Sequence, residues 1–91
     1  MRDVKFKQPA DVLDYDVEYG DWLPDGDALS QATALADSTD LSINSVQVIG
    51  TMVKVWISGG IDGAQYKVTV TATTNDGRVK EADFTIRVRN F

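Results

Sequence analysis

TMVKVWISGGIDGAQYKVTVTATTNDGRVKEADFTIRV, residues 51–88, holds three extended segments separated by two turn clusters. Tyr66, Val68, Val70 and Ala72 fall on one side of their segment, and Lys67, Thr69, Thr71 and Thr73 on the other. Past the turn, Ala82, Phe84, Ile86 and Val88 alternate with Asp83, Thr85, Arg87 and Arg89. Successive strand side chains point to opposite faces, so a period of two marks a half-buried strand. Earlier in the stretch, Val53, Val55 and Ile57 make the better core face, which leaves Trp56 outside beside Lys54, whose stem can cover aromatic surface. Asn75-Asp76-Gly77-Arg78 carries hairpin chemistry, and Gly59-Gly60 and Asp62-Gly63 supply positions that tolerate positive φ. The Gly-rich connection lacks the Gly-Lys-Ser/Thr ending of a phosphate loop and no helix follows it, so it reads as a turn.

Outward from there the chain keeps the same character. Residues 41–49, LSINSVQVI, are rich in β-branched residues, but Leu41 and Ile43 sit on one phase and Val46 and Val48 on the other. That slip predicts a bulge or tight bend at Asn44-Ser45. Residues 28–36, ALSQATALA, are rich in alanine, yet Leu29, Gln31, Thr33 and Leu35 alternate and turn signals flank the segment, so it reads as a strand. Residues 11–23, DVLDYDVEYGDWL, put Leu13, Tyr15, Val17 and Tyr19 on one face and Asp14, Asp16 and Glu18 on the other. Trp22 precedes the turn Pro24-Asp25-Gly26-Asp27 and suits either a core anchor or an exposed contact. Residues 1–10 form a basic lead-in that suits an edge strand or an extended arm docking on a neighbour; Pro9 holds Gln8 extended.

Composition removes whole classes of chemistry. The chain has no histidine and no cysteine. Without them there is no Ser-His or Cys-His pair, no disulfide framework and no thiolate metal site. The net charge is −5. Residues 1–40 carry ten acids against three bases, and residues 41–91 carry four acids against six bases. An acidic N-terminal half argues against phosphate-backbone binding, so no nucleic-acid partner is expected. No apolar run approaches the roughly 20 residues that span a bilayer, and no signal-peptide pattern opens the chain; no membrane partner is expected, and synthesis in the cytoplasm is.

Asp14, Asp16 and Glu18 follow one another on one strand face at steps of about 7 Å. A calcium ion takes six to eight oxygens, and this strand supplies only three carboxylates, so the favoured reading is a solvated face that discourages edge pairing. No cofactor is expected. Six or seven short strands with turn signals every eight to twelve residues predict a single all-β domain over residues 1–91. The architecture expected is an immunoglobulin-like β-sandwich of antiparallel strands, with a small β-barrel as the alternative. Tyr66, at the start of the strand after the Gly-rich turn, suits the buried tyrosine of such sandwiches.

Two stretches, KQPADVLDYDVEYGDWL and VWISGGIDGAQYKVTVTATTNDGRVKEADFTIRV, resemble a family of small tailed-bacteriophage structural proteins, the phage fibre–tail adaptor proteins. The residues that carry the resemblance are Lys7, Pro9, Leu13, Asp14, Tyr15, Trp22 and Leu23, then Val55 to Gly60, Gly63, Tyr66, Val68, Thr69, Thr73, Thr74, Gly77 and Arg78. It covers most of the chain and is loosest over residues 28–50. The resemblance implies a virion protein without a catalytic motif, assembled in the host cytoplasm. It would act by contact with other phage tail, neck or capsid proteins, either as a fibre adaptor or as a capsid decoration, and a homo-oligomer is compatible with it. Phe6, Tyr19, Trp22 and Trp56 are the candidate contact residues. The competing reading is an immunoglobulin-like adhesion or carbohydrate-binding module that stacks sugars on Trp22, Trp56 and Tyr19.

Overall fold

Seven strands form two sheets in the computed structural model, which describes residues 2–90. They are β1 Arg2–Lys7, β2 Leu13–Glu18, β3 Leu29–Ala36, β4 Leu41–Ile49, β5 Met52–Gly59, β6 Gln65–Thr74 and β7 Val79–Val88. One sheet runs β1-β7-β6-β3 and the other β2-β5-β4. No ladder joins the two sheets, so the structure is a sandwich and not a closed barrel. The orders β2-β5-β4 and β3-β6-β7 are the B-E-D and C-F-G orders of an immunoglobulin domain. One pairing departs from the antiparallel expectation: β1 lies parallel to β7, from Arg2 opposite Asp83 to Lys7 opposite Val88. The basic lead-in is thus an edge strand.

The sheets meet on the faces that the alternation marks. Val53, Val55 and Ile57 of β5 pack toward Val68, Val70, Ala72, Phe84, Ile86 and Val88 of β6 and β7, all buried. Each of the valine, isoleucine and phenylalanine side chains among them contributes about 1.5–3 kcal/mol through removal from water. Tyr66 is buried at the start of β6, and its hydroxyl accepts the Ile61 N–H at 3.0 Å. It closes the β5–β6 connection in the manner of a tyrosine corner. Gly60 in that connection has φ +97°, and a Cβ there would lie 2.6 Å from Val88 Cγ2.

The predicted slip in β4 is a register shift between Ile43 and Ser45 against β5. A second shift, between Leu29 and Gln31, is not visible in the sequence and changes the phase of β3. Leu29 is buried, but beyond the bulge Ala32, Ala34 and Ala36 turn inward, and Leu35 is left 73% exposed. Small side chains at those positions let the longer side chains of the facing sheet fill the layer between.

Candidate partner-binding surface

The family-like residues form a structural knot before they form any surface. Lys7 ends β1 and is fully buried. Its Nζ donates to the carbonyl oxygens of Gly59 at 2.6 Å, Gln8 at 2.7 Å and Pro9 at 3.2 Å. Burial pushes its pKa down, against a smaller upward pull from Asp11. Pro9 and Gly59 therefore belong together: the extended turn brings one carbonyl, and the end of β5 brings another, to one ammonium group. The turn itself is closed reciprocally, with Asp11 N–H donating to Gln8 C=O and Gln8 N–H donating to Asp11 Oδ2. Nothing in the spacing of residues 1–10 marks Lys7 as buried, because a lysine in a basic stretch ordinarily reads as solvated.

A second knot forms around Asp27. Its side chain is 1% exposed. Oδ1 accepts N–H groups of Ala28 and Asp76, and Oδ2 accepts Arg78 Nη1–H at 2.9 Å. Burial alone would raise this carboxyl, but hydrogen bonds from Thr74, Ala28, Arg78 and Asp76 hold it below its ordinary value. The loop before β3 is thereby stapled to the β6–β7 hairpin turn.

The acidic face of β2 is also committed. Lys54 on the neighbouring β5 lies 2.7 Å from Asp14 and 3.2 Å from Asp16. The hydrogen bond from Lys54 lowers the Asp14 pKa, and those two carboxylates raise that of Lys54. Glu18 Oε2 accepts the Thr51 hydroxyl at 2.6 Å and the Gly20 N–H at 2.7 Å, and the Thr51 bond is the main cause of its lowered pKa. Asp14 and Asp16 thus converge on a lysine, and Glu18 turns to a separate loop. Among the described residues no group of three or more His, Cys, Asp or Glu could hold a metal ion.

The four candidate contact residues do not share one face. Tyr19 is a correction: its side chain is buried and its hydroxyl donates to Val70 C=O at 3.0 Å, so it is part of the core. Trp22 is half-buried, edge-on to Tyr19 with ring centroids 6.3 Å apart. Trp56 is half-buried on the outer face of β5, opposite Asp14 on one side and Ser45 on the other. Phe6 is 49% exposed on the outer side of β1. Tyr19 and Trp22 pack on each other, whereas Trp56 lies on the outer face of β5, out of phase with the buried Val55 and Ile57.

Among the described residues, the edge where β1 closes one sheet and β2 the other carries four of the eight exposed large apolar side chains, and Leu35, Ile49, Ile61 and Val79 lie elsewhere. Val4, Phe6, Val12 and Leu13 are all exposed there. The same edge contains a groove of about 500 Å³, bordered by β1, β2 and the first half of β7. Tyr15, Tyr19, Trp22 and Phe84 form its aromatic lining, and the Tyr15 and Phe84 rings stand 5.8 Å apart. Neither the apolar edge nor the groove is legible in the sequence, because both depend on which strands end the sheets.

Fold and surface together define a small immunoglobulin-like sandwich whose polar motif residues are spent on its own framework and whose open edge is apolar. A family model described as Gp77, podophage GP4 fiber-tail adaptor protein gp77, matches residues 7–87. The chain belongs to this family of phage fibre–tail adaptor proteins, a structural family of the phage tail. No curated protein matches the chain.

Proposed function

We propose that this protein joins a fibre to the phage tail by direct protein contact, with the β1–β2 edge as a principal contact surface. The observation that carries this reading is the presence on that edge of Val4, Phe6, Val12 and Leu13, half of the exposed large apolar side chains among the described residues. Apolar surface gathered on one side of a small domain is what a partner buries. Phe6 is the aromatic anchor on the outer side, and Trp22 is the anchor inside the groove. The partner is a protein and not a nucleic acid: the net charge of −5 opposes a phosphate backbone. Assembly by contact requires no catalytic group, and the protein acts without one, joining the virion as it is built in the host cytoplasm.

The test is binding of the purified chain to the fibre and tail proteins of the same phage, followed by light scattering and calorimetry. A defined complex is expected, weakened at least tenfold by Phe6→Asp and unchanged by Leu35→Asp on the far edge. A chain that binds none of those proteins, or that tolerates Phe6→Asp, would overturn the reading.

A further inference from the structure

Three Asp-Gly steps lie in turns: Asp25-Gly26, Asp62-Gly63 and Asp76-Gly77, all exposed. An Asp-Gly step is open to ring closure between the side-chain carboxyl and the next main-chain nitrogen, because glycine has no side chain to hinder the approach. Sequence and exposure do not separate the three, but hydrogen bonding does. Asp62-Gly63 occupies the centre of a turn closed by Ala64 N–H donating to Ile61 C=O at 2.9 Å. There the Gly63 N–H donates to Val88 C=O at 2.8 Å, and Asp62 Oδ1 accepts the Asn90 N–H at 2.9 Å. At Asp76-Gly77 the Gly77 N–H donates to Thr74 C=O at 3.1 Å, and Asp76 Oδ2 lies 3.4 Å from Arg78 Nη1. Asp25-Gly26 occupies the centre of a turn like the first, closed by Asp27 N–H donating to Pro24 C=O at 3.2 Å. Gly26 at φ 86° and Gly63 at φ 85° fill the same third position, the one that type II turns give to glycine. Among the described residues, however, neither the Gly26 N–H nor the Asp25 carboxylate has a hydrogen-bond partner or an ion pair.

We propose that Asp25 is a site of spontaneous isoaspartate formation in the folded protein, and that Asp62 and Asp76 are protected by the hydrogen bonds of their turns. The reaction needs no reagent but water. The Gly26 nitrogen attacks Cγ of the protonated Asp25 carboxyl. The N–Cγ bond forms, one Cγ–O bond breaks, and the hydroxyl leaves as water with the amide proton. Water then opens the succinimide at either carbonyl. Attack at Cγ restores aspartate. Attack at the main-chain carbonyl breaks its bond to the Gly26 nitrogen, which regains a proton, and leaves isoaspartate. At Gly63 and Gly77 the same closure requires the N–H to give up its carbonyl acceptor first. The product inserts an additional main-chain carbon into the turn, so Asp27 N–H no longer meets Pro24 C=O as built. That turn delivers Asp27, whose side chain holds the β6–β7 hairpin through the Asp76 N–H and Arg78. Isomerisation at Asp25 therefore loosens the link between the loop before β3 and the hairpin, at a place remote from Phe6 and Val12.

The experiment incubates the full chain, folded in buffer and unfolded in urea, and locates isoaspartate by electron-transfer fragmentation in a mass spectrometer. In the folded chain, isoaspartate is expected at Asp25 at least about tenfold faster than at Asp62 or Asp76, a ratio equivalent to about 1.4 kcal/mol. In urea the three rates should converge, since the hydrogen bonds that separate them are gone. Asp25→Asn, Asp62→Asn and Asp76→Asn give a second readout, because asparagine closes the same ring with loss of ammonia and the deamidated product is read by its mass. The first should react faster than the other two by the same margin, while melting confirms that each folds. Comparable rates at Asp25 and at Asp62 or Asp76 in the folded chain overturn the proposal. A preference for Asp25 that persists at the same size in urea assigns it to local sequence and also overturns it. So does a folded chain that forms no isoaspartate at Asp25 in the time over which the unfolded chain converts.

Discussion

Replacing Lys7 by methionine should cost this protein about 2–4 kcal/mol. The substitution keeps most of the aliphatic stem and deletes only the ammonium group. Three acceptors lose a charged donor: Gly59, Gln8 and Pro9 C=O. Burial lowers the Lys7 pKa, so the charge itself is a cost to the fold and the loss falls on the acceptors: a buried carbonyl left without its donor costs about 1–3 kcal/mol, so Gly59 and Pro9 C=O together amount to about 2–6 kcal/mol. Methionine escapes the desolvation of the ammonium, which offsets part of this. Gln8 C=O retains the Asp11 N–H, which softens the loss. The balance is a destabilisation of about 2–4 kcal/mol, and in a domain this size about 4–8 °C of melting temperature follows each kcal/mol. Urea denaturation and calorimetry read the global loss, and hydrogen exchange reads whether β1 loosens first. A variant melting within about 2 °C of the parent would refute the reasoning. Lys7 would then be a packed stem with a dispensable charge, and the joint presence of Lys7, Pro9 and Gly59 would have no account.

Further expectations concern alkali and backbone strain. Burial raises the Tyr19 pKa to about 12 and also raises that of Tyr15. An acid raised in the folded state stays protonated while the unfolded chain ionises near its ordinary value, so stability falls as pH climbs from about 10 to about 12. The two-unit shift corresponds to about 3 kcal/mol lost across that window, and Tyr19→Phe should flatten most of it in urea midpoints measured at pH 8, 10 and 11.5. Lys7 works in the opposite direction, because its lowered pKa makes stability rise with pH between that lowered value and the ordinary one; equal slopes in parent and Tyr19→Phe would sink the Tyr19 assignment. Gly60→Ala meets both a φ of +97° and Val88 Cγ2, whereas Gly77→Ala meets φ +90° in open space. The first should lose about 2–4 kcal/mol and the second about 1–2 kcal/mol; similar losses would show that Val88 moves aside freely.

The alternation of β5, β6 and β7 was enough to place Val53, Val55, Ile57, Phe84 and Ile86 inside, because a strand offers only two faces. Pairing was not legible. That β1 lies parallel to β7 depends on contacts some 80 residues apart in the chain, and no local pattern encodes them. The bulge in β4 showed itself as a change of hydrophobic phase at Asn44-Ser45. The one in β3 did not, since Ala32, Ala34 and Ala36 give too little hydrophobic contrast. Tyr19 continued the inward phase of Leu13, Tyr15 and Val17, so its burial was readable and its nomination as a contact residue conflicted with its own phase. The candidate surface was the least visible part. Of the residues nominated from sequence, Phe6 stands on the apolar edge and Trp22 lines the groove, while Val4, Val12 and Leu13 needed the sheet order to be recognised.

The most direct test of the central claim is a reconstruction of the assembled phage tail at a resolution that traces this chain. The account predicts that the β1–β2 edge, with Phe6, Val12 and Leu13, is covered by a fibre or tail protein. A tail in which that edge faces solvent while another surface makes the contacts would contradict it.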